Sequence, residues 1–220
     1  MTGATPSTGY VLATRVKFSG EPAGDATFLY ADDGAGYDIE VGFSPSTGSN
    51  KFLILFLTQN IAAVDYEWIA TTEPTEFIPD TWYSILIKVY TDSGDTGYPL
   101  EVWINGVEIT MDATTWDGTG QLVAWDDMTA WQVGNFYGDE VVSSRFIWFE
   151  PSLTGDPSYS DFFEANNCVR DLGVDGSVPT GSQPMIYMAG GSVDYQDNKG
   201  YGGAFPISFG TIYSGSYTCP

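Results

Sequence analysis

From Tyr10 to Phe149, apolar and polar residues alternate in short runs, the two-residue period of a β-strand resting on a core. Tyr10, Leu12, Thr14, Val16 and Phe18 share one face, with Arg15 and Lys17 on the other. Tyr37, Ile39, Val41 and Phe43 alternate with Asp38, Glu40 and Gly42. Tyr83, Ile85, Ile87 and Val89 alternate with Ser84, Lys88 and Tyr90, with Leu86 the exception. Between the runs that follow lies Asn105–Gly106, the strongest short hairpin signal, since both central residues of a type I′ turn need positive φ. Pairing outward sets Ile104 against Val107, Val102 against Ile109 and Leu100 against Met111. The other face then pairs Trp103 with Glu108. The region reads as an antiparallel sheet with one buried face.

Further strands are predicted at Thr27–Tyr30, Phe52–Leu57, Val64–Ala70, Trp131–Asn135 and Ser143–Phe149. Phe52–Leu57 is apolar at every position, which suits a central strand covered on both faces. Its outward residues Phe52, Ile54 and Phe56 need a cover and form the candidate subunit interface. Residues 1–9 read as an N-terminal arm and 10–156 as an all-β, antiparallel β-sandwich. In 157–220, a short helix at Pro157–Ala165 leads into an irregular Gly/Pro-rich segment that wraps the sandwich. That segment holds strands at Met185–Met188 and Ala204–Ser208. About ten strands with turn signals between them fit a sandwich or jelly roll.

Charge narrows the partners. The 220 residues carry a net charge of −22, with seven Lys and Arg in all, which argues against nucleic acid as a partner. Histidine is absent, which removes Ser-His-Asp and Cys-His catalysis and leaves only carboxylates for acid–base chemistry. Cys168 and Cys219 lack metal-site spacing; a disulfide at the C-terminus is open, and two free thiols is the favoured reading. The sequence shows neither a signal peptide nor an apolar run long enough to span a bilayer, so a soluble chain made in the cytoplasm, with no membrane partner, is expected.

Two resemblances follow from particular residues. Over Tyr10–Phe149, the order FLYADDGAGYDIEVGF, FLILFL, DTWYSILIKVY, LEVWINGVEI, WQVGN and SRFIWF resembles the concanavalin A-like, laminin G-like jelly-roll superfamily. Such domains usually open with one strand more than this chain supplies, which would leave an edge for a partner chain. Over Phe162–Phe209, RDLGVDGSVPTGSQPMIY and NKGYGGAF resemble a C-terminal segment found with such jelly rolls in structural proteins of tailed bacteriophages. The matching positions are Leu172, Gly173, Asp175, Gly176, Pro179, Thr180, Gly181, Pro184, Ile186, Tyr187, Asn198, Gly200, Gly202 and Gly203. This resemblance implies a virion component, exposed on capsid or tail, self-associating (as a trimer, for example) and contacting other virion proteins.

Candidate chemistry can be set beside that expectation. Laminarinase-type glycosidases of the same fold place acids at three alternating strand positions. Asp38 and Glu40 fill two, but Gly36 stands where an outer carboxylate belongs, so no catalytic residue is assigned. Acidic loops, Asp92 and Asp95 foremost, offer oxygen ligands for Ca²⁺; Asp32–Asp33, Asp126–Asp127 and Asp171 with Asp175 are further candidates. Trp103, Trp116 and Trp125 are candidate stacking platforms for saccharide, so the alternative to a virion structural protein is a glycan-binding module for the host surface. Contact with a covering loop or subunit is the other use of such tryptophans.

Overall fold

The computed structural model describes residues 9–18, 26–32, 37–45, 52–60, 64–71, 78, 80–90, 100–109, 130–133, 142–150, 155–188 and 198–203. It is all-β and antiparallel, as expected. Two compact units make up the chain: residues 1–16, 83–108 and 144–220 in one, 17–82 and 109–143 in the other. Among the described residues, no helix is long and apolar enough to cross a membrane.

The second unit carries a five-stranded sheet. Its strands are β2 (Ala26–Asp32), β3 (Tyr37–Pro45), β4 (Phe52–Asn60), β5 (Val64–Thr71) and β9 (Ala130–Val133), in the order β5-β4-β3-β2-β9. The apolar FLILFL run is thus an interior strand, paired with β3 from Pro45↔Phe52 to Tyr37↔Asn60 and with β5 on its other side. Arg15 and Lys17 fall on one face of β1 (Gly9–Phe18), and beyond Arg15 the Lys17 ammonium reaches Asp80 at 3.5 Å.

The first unit carries a six-stranded sheet ordered β11-β10-β1-β6-β7-β8. β6 is Trp82–Tyr90, β7 Leu100–Ile104, β8 Val107–Glu108, β10 Val142–Glu150 and β11 Ile186–Met188. The hairpin has the predicted register, Ile104↔Val107 and Trp103↔Glu108. Asn105 and Gly106 both take positive φ, 50° and 81°, as a type I′ turn demands. The ladder stops at Glu108: Ile109 is buried without extending it, and Val107 at the tip is 64% exposed.

One expectation is corrected. This sheet is buried on both faces, not one. Ile85, Ile87, Val102, Ile104, Ile147 and Phe149 are buried, and so are Ser84, Leu86 and Lys88 of opposite parity. The reason is the C-terminal segment. Phe162, Phe163, Leu172 and Tyr187 lie over Val11, Ala13, Leu86, Phe146 and Trp148, with Trp103, Tyr159 and Val169 at the margin. Leu86, the break in the alternation, is apolar because it belongs to this second core. Trp148 and Phe162 meet edge to face at 4.9 Å, and Phe146 and Phe163 at 5.8 Å.

The helix is also shorter than predicted. Instead of Pro157–Ala165, α1 is a single turn, Tyr159–Phe162, after the N-cap Ser158. The Ser158 N–H donates to Asp161 Oδ2 at 2.7 Å, which secures the start. Phe163 then goes extended, φ −128°, and bridges to Val169, because its ring is held in the core beside Phe162. Residues 1–8 of the arm, the Ala204–Ser208 strand and the chain beyond it lie outside the described residues, and Gly9 already begins β1.

Candidate functional site

The polar groups of the first unit gather where the C-terminal segment meets the sheet. Asn167 takes the left-handed conformation, φ 63°, and aims its carbonyl at the sheet. That oxygen accepts from Arg15 Nη1 at 2.8 Å and from Ser84 Oγ at 2.7 Å. Its side-chain Oδ1 accepts from the Tyr159 hydroxyl at 3.0 Å. Burial pushes the Tyr159 phenol up to about 12, so the group stays protonated and keeps donating. The turn joins this network: Asn105 Oδ1 accepts the Ser84 N–H at 2.9 Å, and Gly106 faces the Tyr159 ring.

A second cluster lies along the same face. Lys88 and Glu101 are directly opposite in the β6–β7 register. The Lys88 ammonium sits 2.7 Å from Asp156 Oδ1 and 3.6 Å from Glu101 Oε2, and 5.1 Å from the centre of the Trp103 ring. The Lys88 side chain is 6% exposed, while those of Asp156 and Glu101 are 53% and 40% exposed. Asp156 has φ 38°, an unusual conformation for a residue before proline. Sequence reasoning missed this group. The Asn105–Gly106 turn fixes the β7–β8 register, not the β6–β7 register that sets Lys88 opposite Glu101, and nothing in the sequence brings Asp156 to them.

The third feature is the edge of β11. Asn198 is buried and spans it: Oδ1 accepts from Tyr187 N and Gly200 N, and Nδ2 donates to the carbonyls of Met185 and Gly203. Lys199, Tyr201 and Gly202 donate backbone N–H groups to Tyr187, Pro184 and Met185. Beside this edge, Tyr201 donates to Glu150 Oε1 at 3.3 Å. Burial raises the Glu150 carboxyl above its ordinary value, and the tyrosine hydroxyl opposes that rise. In return, burial and the Glu150 charge push the Tyr201 phenol up to about 12.

The sequence-predicted site residues are not brought together among the described residues. Trp103 is half-buried at the margin of the second core, with Lys88 over its ring. Trp116, Trp125, Asp92 and Asp95 lie outside the described residues. Phe52, Ile54 and Phe56 fall at alternate positions of β4, of which the backbone alone is described. Asp38 and Glu40 share a face of β3 by parity. Asp171 and Asp175 close turns by accepting from Gly173 N and Ser177 N. Among the described residues, no three acidic or cysteine side chains group as metal ligands.

The cysteine expectation is overturned. Cys168 is disulfide-bonded, and Cys219 is the only other cysteine in the chain. The free-thiol expectation rests on compartment alone, which sequence spacing does not test.

No protein-family model matches the chain, and no curated protein matches it. Solved structures do show similarity. Domain 4 of a GH43 extracellular arabinanase from Geobacillus stearothermophilus, solved with arabinotriose, is 14% identical over 68% of this chain, TM-score 0.40. A heptameric SAP-like pentraxin from Limulus polyphemus is 11% identical over 66%, TM-score 0.41. This chain spans 64% of the length of each. Sheep galectin-11, solved with glycerol, is 12% identical over 64% of this chain and 92% of its own, TM-score 0.34.

Proposed function

We propose that this chain is a non-enzymatic structural protein of a tailed-bacteriophage virion, exposed on capsid or tail, that assembles by packing against its own copies and neighbouring virion proteins. The observation that carries this reading is how the phage-like C-terminal motif is used. Leu172 fills the second core, Gly176 offers its carbonyl to Trp148 Nε1 at 2.8 Å, and Asn198 with Gly200 closes the β11 edge. These motif residues therefore brace a cover on a sheet. A disulfide suits a protein that works outside the reducing cytoplasm, as on a virion surface. A charge of −22 keeps an exposed protein soluble at high local copy number.

Light scattering with and without EDTA, together with a glycan array, tests the reading. The expected result is a discrete self-associated species, unchanged by EDTA, with no saccharide signal above background. A monomer that binds saccharide, with binding lost on Trp116→Ala or Trp125→Ala, would replace the virion reading with a lectin-like module.

A further inference from the structure

We propose that Lys88 and Asp156 form an intramolecular isopeptide bond, with Glu101 as the proton carrier, so that the C-terminal cover is covalently fastened to the sheet. The placement carries the inference. An amine and a carboxyl oxygen stand 2.7 Å apart across 68 residues of chain, joined without any chain neighbour in common. Condensation needs the amine held beside the carboxyl for long times, and a buried strand lysine hydrogen-bonded to a turn carboxylate favours that. Lys88 is on the interior strand β6, between β1 and β7. Asp156 is fixed from behind by Gly155 at φ 81° and by the buried Pro157. The left-handed backbone of Asp156 falls at the residue whose carboxyl stands nearer the amine.

The surroundings suit the reaction. Trp103 covers one side of the ammonium, and with a 6% exposed side chain Lys88 meets little water. Glu101 Oε2, 3.6 Å from Nζ, is the second carboxylate that the chemistry requires. The step balances within the molecule. Lys88 passes one proton to Glu101, and the neutral amine attacks Asp156 Cγ to form the C–N bond. Glu101 then delivers its proton to the departing oxygen, which takes a second proton from the attacking nitrogen and leaves as water. One ammonium and one carboxylate become an amide and water, with no oxidant, reductant or cofactor. Asp156 is 53% exposed, which gives the water a route out.

Intact mass of the purified full chain, after reduction of the disulfide, tests this directly. The expected mass is one water below the sequence value, with a proteolytic fragment joining the peptides that contain Lys88 and Asp156. Glu101→Gln, judged folded by circular dichroism, is expected to restore the full sequence mass. A wild-type chain at the full sequence mass, freshly purified and after prolonged incubation, would overturn the proposal and leave an ion pair. So would a lost water that maps elsewhere, such as to an Asn-Gly or Asp-Gly pair. Complete cross-linking in Glu101→Gln would remove Glu101 from the mechanism.

Discussion

Asn198 satisfies four backbone groups with one amide, two through Oδ1 and two through Nδ2. Two of them, Tyr187 N and the Met185 carbonyl, lie in or beside β11, and the other two belong to the 198–203 turn that Asn198 opens. Asn198→Ala removes this partner from all four, leaving the Met185 carbonyl only the Gly202 N–H and taking the Oδ1 acceptor from the buried Tyr187 N–H, and should cost about 2–4 kcal/mol, read as a lower urea midpoint. Asn198→Asp is the sharper variant: it keeps the acceptor, loses both donors and turns a charged oxygen toward two carbonyls, so it should be at least as damaging. Gly200 has no freedom to change either, since a Cβ there would stand 2.4 Å from the Met185 carbonyl and 2.5 Å from that of Pro184. Gly200→Ala should cost about 2–3 kcal/mol through the backbone shift it forces. Glu150, beside this edge, behaves differently because its burial disfavours its own charge. Its folded carboxyl binds a proton more tightly than the unfolded chain does. Its contribution to stability is therefore most favourable in acid and falls as pH rises through the carboxylate range. Glu150→Gln should unfold later than the wild type at neutral pH, and the difference should close below about pH 4, where both states hold the proton. Urea midpoints of the two proteins across pH give the comparison.

The C-terminal segment is the element on which the first unit depends. Its anchor residue, Cys168, follows Asn167, whose carbonyl holds Arg15 and Ser84. Tying Cys168 to the far end of the chain closes a loop of roughly 50 residues, which in the chain-entropy account stabilises by about 4 kcal/mol. Reduction should therefore lower the melting temperature by about 10 °C, measured by calorimetry with and without a phosphine reductant. Cys168→Ser should reproduce the shift and be indifferent to reductant. This element also marks where the sequence was legible and where it was not. Strand positions and the hairpin register followed from period two and from Asn105–Gly106, because both are local signals. The second core did not follow. Its members on the sheet, Leu86, Trp148 and Ala13, are separated in sequence from Phe162 and Leu172, and their alternation alone cannot say that a loop will cover them. The pattern at Pro157–Ala165 predicts more helix than forms because an N-cap with a nearby acid marks a start, whereas the stop is set by where the Phe163 ring must go. The Lys88–Asp156 contact was invisible for the same reason: it is made by a turn residue against a strand 68 positions away.

For the whole molecule the governing quantity is charge. Each copy carries −22, and identical copies of the proposed assembly must approach against that repulsion. The repulsion reaches about 30 Å at 0.01 M salt and about 8 Å at 0.15 M. Contacts between copies must therefore come from apolar area and backbone pairing, with ion pairs secondary, since seven Lys and Arg cannot balance 29 Asp and Glu. Of the described basic side chains, Lys17 and Lys88 already meet carboxylates within the chain. Self-association should accordingly strengthen as NaCl is raised from about 0.01 M to about 0.15 M, then level off once the Debye length falls below the gap between subunits. Sedimentation velocity across that range reads the effect. An oligomer that instead dissociates as salt rises would mean that attraction between charges holds it together. Copies this acidic could supply that attraction only through a bridging cation or a basic partner, and EDTA in the same experiment would tell those two apart.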